Sequence, residues 1–348
     1  MSVWLLLGHK AGDNNQVLAL ASKLGWHWQE RRLRYQPWEL LSNRLIGVTL
    51  VGVNKRESDA LTPPWPDLVI TSGRRNEPVA RWIRQQSGQR TRLVHVGRPW
   101  AALDCFDLIV STPQYELPAR ANVLVNDLPM HRLTRSELER AAQTWSDSLN
   151  HLPAPRTTVL LGGNSGAFVF TPEKAARLGR QVNGLVRGQG GSVMVTDSAR
   201  TPADAFDAFV EQLQVPVHVH RWGSRSARNP YQAFLQLADQ FVVTADSMSM
   251  VTEAAFMQKP LYLFSLDDGP DWWRRAYNYK WTPLTHRLAM KVGPGRMRRD
   301  VSRILDNLVY EGRAVWLGDS FPHGQPLSPL KDGAITAALR IAELFEGT

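Results

Sequence analysis

Two segments of this chain open in the same way, each with a short apolar run, a glycine-containing turn and a helical pattern. The first is Val3–Leu7 followed by the turn Gly8–Gly12, and the second is Thr158–Leu161 followed by the turn Gly162–Gly166. A buried strand that enters a helix through glycines is the usual opening of a nucleotide-binding fold. Its repetition predicts two α/β domains that face each other across a cleft.

Short apolar runs alternate with helical patterns along the rest of the chain. Continuous apolar runs are typical of parallel strands buried on both faces. We therefore predict an α/β fold with two facing Rossmann-like domains, each a doubly wound sheet. The predicted strands are Val3–Leu7, Leu68–Thr71, Leu93–Val96, Leu108–Ser111, Val123–Val125, Thr158–Leu161, Val193–Thr196, Val217–His220, Phe241–Thr244 and Leu261–Phe264. The predicted helices are Asn14–Leu24, Glu77–Gln86, Leu138–Leu149, Pro172–Arg187, Ala203–Leu213, Tyr231–Ala238, Ser249–Met257 and Ala334–Phe345.

A linker with two prolines marks the boundary between the halves. Pro153 and Pro155 follow directly after the helical pattern Leu138–Leu149, and prolines at this spacing stiffen a linker. We expect an N-terminal domain over residues 1–152, a C-terminal domain over 156–330 and a C-terminal helix over 331–348.

Composition excludes several classes of protein. Cys105 is the only cysteine, so neither an internal disulfide nor a thiolate zinc site can form. No apolar run approaches the roughly 18 residues of a membrane span. The apolar run Val3–Leu7 also lacks the basic start and the cleavage site of a signal peptide. These features predict a cytoplasmic protein.

The chain is basic and rich in tryptophan, with a net charge of +9 and 13 tryptophans. A basic surface favours anionic partners, and no module typical of nucleic-acid binding accompanies it. The densest cluster is Trp272-Trp273-Arg274-Arg275, with two tyrosines beside it. This cluster is either a packed aromatic loop with a basic edge or a contact with lipid headgroups or a glycan.

The segment Phe241–Ala255 carries the strongest local signal for a ligand. Its buried strand ends at Thr244, and small polar residues lead into a helix with Ser247 or Ser249 as its N-cap. Free N–H groups and the helix dipole at such a start bind phosphate. Glu253, about one turn further on, is placed to accept hydrogen bonds from ribose hydroxyls. The alternative is a serine and a glutamate that only cap the helix.

The turn Gly162–Gly166 is the second signal. Glycine lets the backbone approach a ligand closely, although this turn is neither a Walker A sequence nor a GxGxxG sequence. Because the carboxyl ends of parallel strands meet at one edge of a sheet, we expect this turn beside the Ser247–Glu253 segment.

Three turns of the first half carry candidate catalytic and anion-binding residues. The imidazole of His9 titrates near neutral pH and suits proton transfer. Asp13 is either a second candidate base or the N-cap of the next helix. In the second turn, Arg74 or Arg75 either clamps a phosphate or a carboxylate or is solvated on the surface. The third turn, His95–Pro99, again ends a strand with a glycine and an arginine. The candidate phosphate- or acceptor-binding residues are Gly12, Gly73, Arg74, Arg75 and Arg98.

No metal ion is expected. The HExxH spacing is absent, and the neighbouring carboxylates Asp267 and Asp268 lie in a Gly-Pro loop. Such a pair either holds a divalent cation or, more commonly, is solvated. The GxSxG sequence of serine hydrolases is absent as well, which argues against that class of enzyme.

Several motifs, taken in chain order, resemble the mitochondrial-fission ELM-type family. This family is similar to the GT-B group of glycosyltransferases, which have two facing Rossmann-like domains and bind the sugar nucleotide mainly with the second. The resemblance therefore implies an acceptor side in residues 1–152 and a donor side in 156–330. The matching motifs are Gly8-(x3)-Gly12-(x2)-Asn15-Gln16, Pro66–Arg75, Asn122–Val125, His131–Thr134, Leu160–Ser165 and Thr244–Ala254.

The resemblance also implies a role for each candidate residue. Glu253 corresponds to the ribose-binding glutamate of GT-B enzymes. Asp13, or alternatively His9, lies in the first-domain loop that often supplies the catalytic base. The implied donor-binding residues are Gly163, Asn164, Ser165, Asp246, Ser247, Ser249, Met250 and Glu253.

We therefore predict a metal-independent, GT-B-like glycosyltransferase that moves a sugar from a nucleotide-diphosphate donor to a hydroxyl of a glycan. The basic surface and the Trp/Arg cluster favour a lipid-linked acceptor, such as lipopolysaccharide core, at the cytosolic face of the inner membrane. Two alternatives remain open: a non-catalytic adaptor on the same scaffold, and a sugar-nucleotide epimerase.

Overall fold

The computed structural model describes residues 1–36, 47–224, 228–322 and 328–346. Its strands are β1 (Ser2–Leu7), β2 (His27–Arg32), β3 (Leu68–Ser72), β4 (Arg92–Val96), β5 (Leu108–Ser111), β6 (Val123–Val125), β7 (Arg156–Leu160), β8 (Ser192–Thr196), β9 (Val217–His220), β10 (Gln240–Thr244), β11 (Leu261–Phe264) and β12 (Val315–Trp316). Its α-helices are α1 (Ala11–Leu24), α2 (Asn76–Gln86), α3 (Arg135–Leu149), α4 (Pro172–Gln189), α5 (Ala203–Val210), α6 (Tyr231–Leu237), α7 (Met248–Phe256), α8 (Trp281–Val292), α9 (Ser302–Tyr310) and α10 (Gly333–Glu343).

The chain forms two compact units. Unit 1 comprises Met1–Arg132, Arg298–Asp300 and Lys331–Thr348, and unit 2 comprises Leu133–Met297 and Val301–Leu330. Among the described residues, each unit contains one parallel sheet of six strands. The predicted α/β class with two Rossmann-like units is therefore confirmed. Helix α3 packs against α6 within unit 2, and α10 packs against α1 within unit 1.

In unit 1 the strand order is β2-β1-β3-β4-β5-β6. Strand β1 shows why its apolar run is continuous, since both of its faces are covered. Val3, Leu5 and Leu7 belong to a core with α1 and α10, whereas Trp4 and Leu6 belong to a core with α2. Alternate side chains of a strand point to opposite faces, so two-sided burial removes the polar positions. Full burial of each such leucine contributes about 1.5–3 kcal/mol.

In unit 2 the strand order is β12-β11-β10-β7-β8-β9. Strand β7 lies at the centre of the sheet, paired with β10 on one side and β8 on the other. Helix α4 packs against α5, and Phe206 and Phe209 of α5 are fully buried in the core beneath them. Both units thus place their first strand inside the sheet, between two strands that come later in the chain.

All ten predicted strands are present, with ends that differ by no more than two residues, and all eight predicted helices are present. The sequence analysis missed β2, β12, α8 and α9. Strand β2 reads His-Trp-Gln-Glu-Arg-Arg and lies at the sheet edge, where charged residues are common and no apolar run forms. Within the described ranges, no helix combines the length and apolarity needed to cross a membrane.

Candidate functional site

In unit 2, the two predicted ligand-binding turns follow neighbouring strands. Leu160 at the end of β7 is in register with Val243 of β10, and the Gly162 N–H donates a 2.7 Å hydrogen bond to Thr244 Oγ1. The sheet order reverses direction between β7 and β10. Such a switch point opens a crevice at the carboxyl ends of the strands, where α/β proteins bind their ligands. The turns therefore lie together, as predicted, and at the place in this sheet best suited to a ligand.

Asp246 joins the two turns. Its Oδ2 accepts a 2.9 Å hydrogen bond from the Gly163 N–H and lies 3.4 Å from Arg200 Nη2. The residue is only 5% exposed, and this burial raises the pKa of its carboxyl to about 6. Its Oδ1 is buried without a hydrogen-bond partner among the described residues. Asp246 is thus held through one of its two oxygens, and the positive charge of Arg200 lies next to that oxygen.

The glycines of the turn are required by the packing of the protein itself. A Cβ on Gly162 would lie 2.7 Å from Asp246 Cγ, and one on Gly163 would lie 2.6 Å from the Thr201 N atom. A side chain on Gly163 would therefore collide with backbone, whereas one on Gly162 would require the Asp246 side chain to move. This reason differs from the predicted one, which was close approach of a ligand.

Asn164 and Ser165 shape the same turn through the backbone. Asn164 Oδ1 accepts a 2.9 Å hydrogen bond from the Phe170 N–H, and its own N–H donates to the Arg200 carbonyl at 3.1 Å. Ser165 and Phe168 exchange two backbone hydrogen bonds. Asn164 thus closes the turn with both its side chain and its backbone, although the residue is exposed to solvent.

Helix α7 begins at the switch point. Its N-cap residue is Ser247, one of the two predicted candidates, but the serine side chain makes no capping hydrogen bond. The first intrahelical acceptor is the Ser247 carbonyl, which takes the Val251 N–H at 3.0 Å. Three N–H groups come before that of Val251 and have no acceptor within the helix, so they point out of the helix end. They belong to residues 248–250, which include Met250 and the exposed Ser249. A side-chain cap that would occupy them is not formed.

Glu253 makes its hydrogen bond with a tyrosine instead of with the helix end. The Tyr231 hydroxyl donates to Glu253 Oε2. Burial raises the pKa of Glu253 to about 7, and burial together with the nearby carboxylate raises the pKa of Tyr231 well above its usual value. The tyrosine therefore remains the donor at all ordinary pH values. This geometry excludes the alternative in which Ser247 and Glu253 form a capping pair.

Unit 1 gathers four of its candidates at its own switch point, between β1 and β3. His9 Nδ1 lies 3.3 Å from Arg75 Nη1. Asp13 Oδ2 lies 3.4 Å from the position of a Cβ on Gly73, whose φ is +79°. The turns after β1 and β3 thus bring together a candidate base, a carboxylate and a cation.

Asp13 does not cap α1. The helix begins at Ala11 with Lys10 as its N-cap residue, so the interpretation of Asp13 as an N-cap is wrong. Its carboxylate lies in the first helical turn, where the dipole favours a negative charge. Gly12, in the same turn, is exposed and has open space around it.

Arg74 and Arg98 are held by other parts of unit 1. The Arg74 guanidinium lies 4.7 Å from the ring centroid of Trp100. Arg98 donates to the Tyr115 carbonyl, and burial lowers its pKa. Both arginines are half-buried, and their role in binding an anion stays a prediction.

The sequence analysis missed three polar residues of these sites. The Tyr115 ring lies 3.8 Å from the position of a Cβ on Gly97, and burial raises the pKa of the tyrosine, with a smaller contribution from the charge of Asp13. Arg200 and Tyr231 complete the unit 2 site. Arg200 follows β8, the strand beside β7, so its position after a strand was a usable signal. Tyr231 has no comparable signal, because only the packing of α6 on the sheet brings it to Glu253.

The adjacent carboxylates have separate partners. Asp268 Oδ1 lies 2.9 Å from Lys174 Nζ and accepts a 2.6 Å hydrogen bond from the Tyr277 hydroxyl, and Asn278 donates to its Oδ2 at 2.7 Å. Asp267 lies 3.9 Å from Arg287. The Asp268 side chain is therefore only 7% exposed and is paired, and the expectation of a solvated pair is wrong for it.

Comparison with known proteins assigns the chain to a family. The model of the family described as Mitochondrial fission ELM1 matches residues 11–279. The chain belongs to this family. The resemblance stated from the motifs is thus confirmed, and the ELM1 match includes Asp13, Arg75, Gly163, Asp246 and Glu253, whereas His9 precedes it.

Two other proteins are similar to this chain in sequence. The mitochondrial fission protein ELM1 of Arabidopsis thaliana is 27% identical, over 58% of this chain and 52% of that protein. An uncharacterized protein of Rickettsia prowazekii (strain Madrid E) is 24% identical, over 76% of this chain and 83% of that protein. The chain thus spans about half the length of the Arabidopsis relative.

Three solved structures align with this chain over nearly their whole length. A glycosyltransferase from Rickettsia africae has a TM-score of 0.47 at 10% identity, covering 100% of this chain and 99% of that one. A UDP-GlcNAc 2-epimerase from Neisseria meningitidis has 0.46 at 12%, covering 100% of both chains. MurG from Acinetobacter baumannii has 0.44 at 12%, covering 99% and 100%.

Proposed function

We propose that this ELM1-family protein is a metal-independent glycosyltransferase, which binds a nucleotide-diphosphate sugar on unit 2 and the acceptor on unit 1. The observation that carries the proposal is the position of α7. Its free amino end lies at the β7/β10 switch point beside the Gly162–Gly166 turn, and Glu253 lies about one turn further along the same helix.

The donor contacts follow from this arrangement. The N–H groups of residues 248–250 hold the diphosphate, because a helix amino end carries about half a positive charge. The carboxylate of Glu253 accepts hydrogen bonds from the ribose hydroxyls, with Tyr231 fixing its orientation. The guanidinium of Arg200, whose side chain is 41% exposed, balances the charge of the departing diphosphate as well as that of Asp246.

The chemical step is a displacement at the anomeric carbon of the sugar. The acceptor hydroxyl loses its proton to Asp13, or to His9 as the second candidate, and its oxygen forms the new bond to that carbon. The bond from the carbon to the diphosphate breaks, and its electron pair leaves with the diphosphate. Amides and Arg200 stabilise that charge as it develops. Gly12, Gly73, Arg74, Arg75 and Arg98 are the proposed surroundings of the acceptor.

The acceptor in this proposal is a glycan or a lipid-linked glycan, such as lipopolysaccharide core. The net charge of +9 suits an acceptor presented on an anionic membrane, at whose cytosolic face the protein would act peripherally.

A binding experiment tests the donor site first. Thermal unfolding of the full chain is followed with UDP, GDP, CMP, ADP and their sugars. A ligand at a hundredfold excess over its Kd stabilises the native state by about 2.7 kcal/mol. We expect a shift with one nucleotide, its loss in Glu253→Ala and its retention in Glu211→Ala, which removes an exposed carboxylate outside the site. No shift with any nucleotide overturns the proposal and favours the adaptor.

A turnover experiment separates the two enzymatic alternatives. With the nucleotide sugar that binds, we expect sugar transfer to an acceptor, and its loss in Asp13→Asn with nucleotide binding intact. Inversion of a sugar hydroxyl without any acceptor would instead identify an epimerase.

A further inference from the structure

Helix α8 of unit 2 turns an apolar face outward. Trp281, Leu288 and Val292 are 82%, 52% and 75% exposed. With 3.6 residues per turn, the three lie within about 40° of one another around the helix axis. The opposite side faces the protein, where Pro283 is buried and the His286 ring lies beside Gly166. A surface helix normally buries its apolar stripe, so three large apolar side chains exposed on one side of α8 are unusual.

Two aromatic residues before the helix extend this face. Trp273 and Tyr279 are 52% and 53% exposed, and the Tyr279 hydroxyl donates a 2.8 Å hydrogen bond to the Trp273 carbonyl. We call Trp273, Tyr279, Trp281, Leu288 and Val292 the α8 surface. A cluster of large exposed apolar side chains is typical of an interaction site rather than of ordinary surface.

The surroundings of the α8 surface are strongly basic. Residues 269–297 contain one acidic residue, Asp271, which lies 3.7 Å from Arg274. The same segment contains six basic residues, which are Arg274, Arg275, Lys280, Arg287, Lys291 and Arg296. Lys280 and Lys291 are exposed and flank the apolar stripe at its two ends.

Buried contacts hold the α8 surface in place. Asn278, which is fully buried, donates to Asp268 and to the Trp272 carbonyl. The Arg287 guanidinium lies 4.7 Å from the ring centroid of Trp272. Lys174 completes the network through its ion pair with Asp268. The aromatic side chains are therefore exposed on a fixed segment and not on a loose one.

We propose that the α8 surface docks onto an anionic lipid bilayer. Trp281, Leu288 and Val292 enter the boundary between headgroups and acyl chains, and Lys280 and Lys291 contact the acidic headgroups. An apolar stripe with tryptophan and flanking cations is the pattern of helices that lie in the membrane interface. A second copy of this chain fits less well, because a two-fold interface on this surface would place the exposed Lys280 and Lys291 of one copy opposite those of the other.

This inference gives a defined surface to the membrane contact mentioned above, and it stands without any nucleotide binding. Its test involves vesicles alone, so its failure is distinguishable from failure of the proposed glycosyltransferase activity.

Co-sedimentation of the full chain with lipid vesicles tests the proposal. We expect binding to vesicles of phosphatidylcholine mixed with phosphatidylglycerol, weaker binding to phosphatidylcholine alone, and loss of the difference at high salt. Each cation near a membrane surface contributes about fivefold to partitioning. The variant Lys280→Glu/Lys291→Glu is therefore expected to bind at least about tenfold more weakly.

Matched variants separate the α8 surface from general charge and exposure. Arg140→Glu/Arg187→Glu reverses two exposed arginines elsewhere on unit 2 and is expected to bind as the wild type does. Trp281→Ser/Leu288→Ser is expected to lose binding, whereas Tyr310→Ser, which changes a residue that is 94% exposed on α9, retains it.

Four results would overturn the proposal. They are no binding to phosphatidylglycerol vesicles, equal binding by the α8 variants and the controls, a concentration-dependent dimer that Trp281→Ser/Leu288→Ser abolishes, and binding to polyglutamate as tight as to the vesicles. The third would identify a second copy as the occupant, and the fourth an acidic protein.

Discussion

Gly162 lies so close to Asp246 that a Cβ atom built on the glycine would stand 2.7 Å from the carboxylate carbon of the aspartate. The two residues follow the neighbouring strands β7 and β10, and the Gly163 N–H binds the same carboxylate at 2.9 Å. The turn and the acidic residue therefore form one packed unit at the switch point of the sheet. A change in either residue should disturb the other.

Gly162→Ala should lower the free energy of unfolding by about 1–3 kcal/mol, the usual cost of an overpacked core position. Asp246 has to move to admit the methyl group, and the hydrogen bond from Gly163 is lost. Urea denaturation measures this change. Gly184→Ala is the control, because Gly184 lies within α4 with open space around it. That variant should be stabilised by up to about 1 kcal/mol; equal destabilisation of both variants would contradict the packing argument.

Much of the fold could be predicted because its physical cause is local. Strands such as β1 and β10 are buried on both faces and therefore read as continuous apolar runs. The meeting of the Gly162 turn with Ser247 also needed no tertiary detail, since parallel strands end at one edge. Helix α8 escaped prediction for the opposite reason: Trp281, Leu288 and Val292 face solvent, so the segment lacks the pattern of a helix with a buried apolar face.

The partners within the sites were harder to predict than their positions. Asp13, Asp246 and Glu253 could each be located at a turn or a helix start from the chain alone. Their partners come from distant elements, as Tyr231 and Glu253 are 22 residues apart and Arg200 reaches Asp246 from the turn after β8. No local pattern encodes such pairs, because only the packing of helices on the sheet brings them together. For the same reason the raised pKa values of Asp246 and Glu253 had no counterpart in the sequence.

Asp246 should make stability fall as pH rises. Its folded-state pKa of about 6 lies above the ordinary value of 3.8, so between these values the folded state binds more protons than the unfolded state. The contribution of this carboxyl is therefore most favourable below pH 4 and is lost as pH rises to about 6. Asp246→Asn should gain up to about 3 kcal/mol relative to the wild type across that range. Denaturation curves at several pH values measure the gain, and a difference that stays constant with pH would rule out the shifted carboxyl.

His95 should act in the opposite direction. Its imidazole is fully buried, lies 5.1 Å from the ring of Phe106, and has neither nitrogen hydrogen-bonded among the described residues. Burial lowers its pKa from 6.5 to about 3, so the unfolded chain binds the proton first and stability is lost as pH falls below 6.5, by about 1.4 kcal/mol per pH unit. His95→Leu should remove this loss, whereas His27→Gln, at an exposed position, should leave it.

Because Asp246 and His95 have opposite effects on stability between pH 4 and 6, the pH dependence of the wild type alone conceals both. Only the difference between wild type and His95→Leu isolates the imidazole, and a flat difference below pH 6.5 would show that it is not buried as a neutral group.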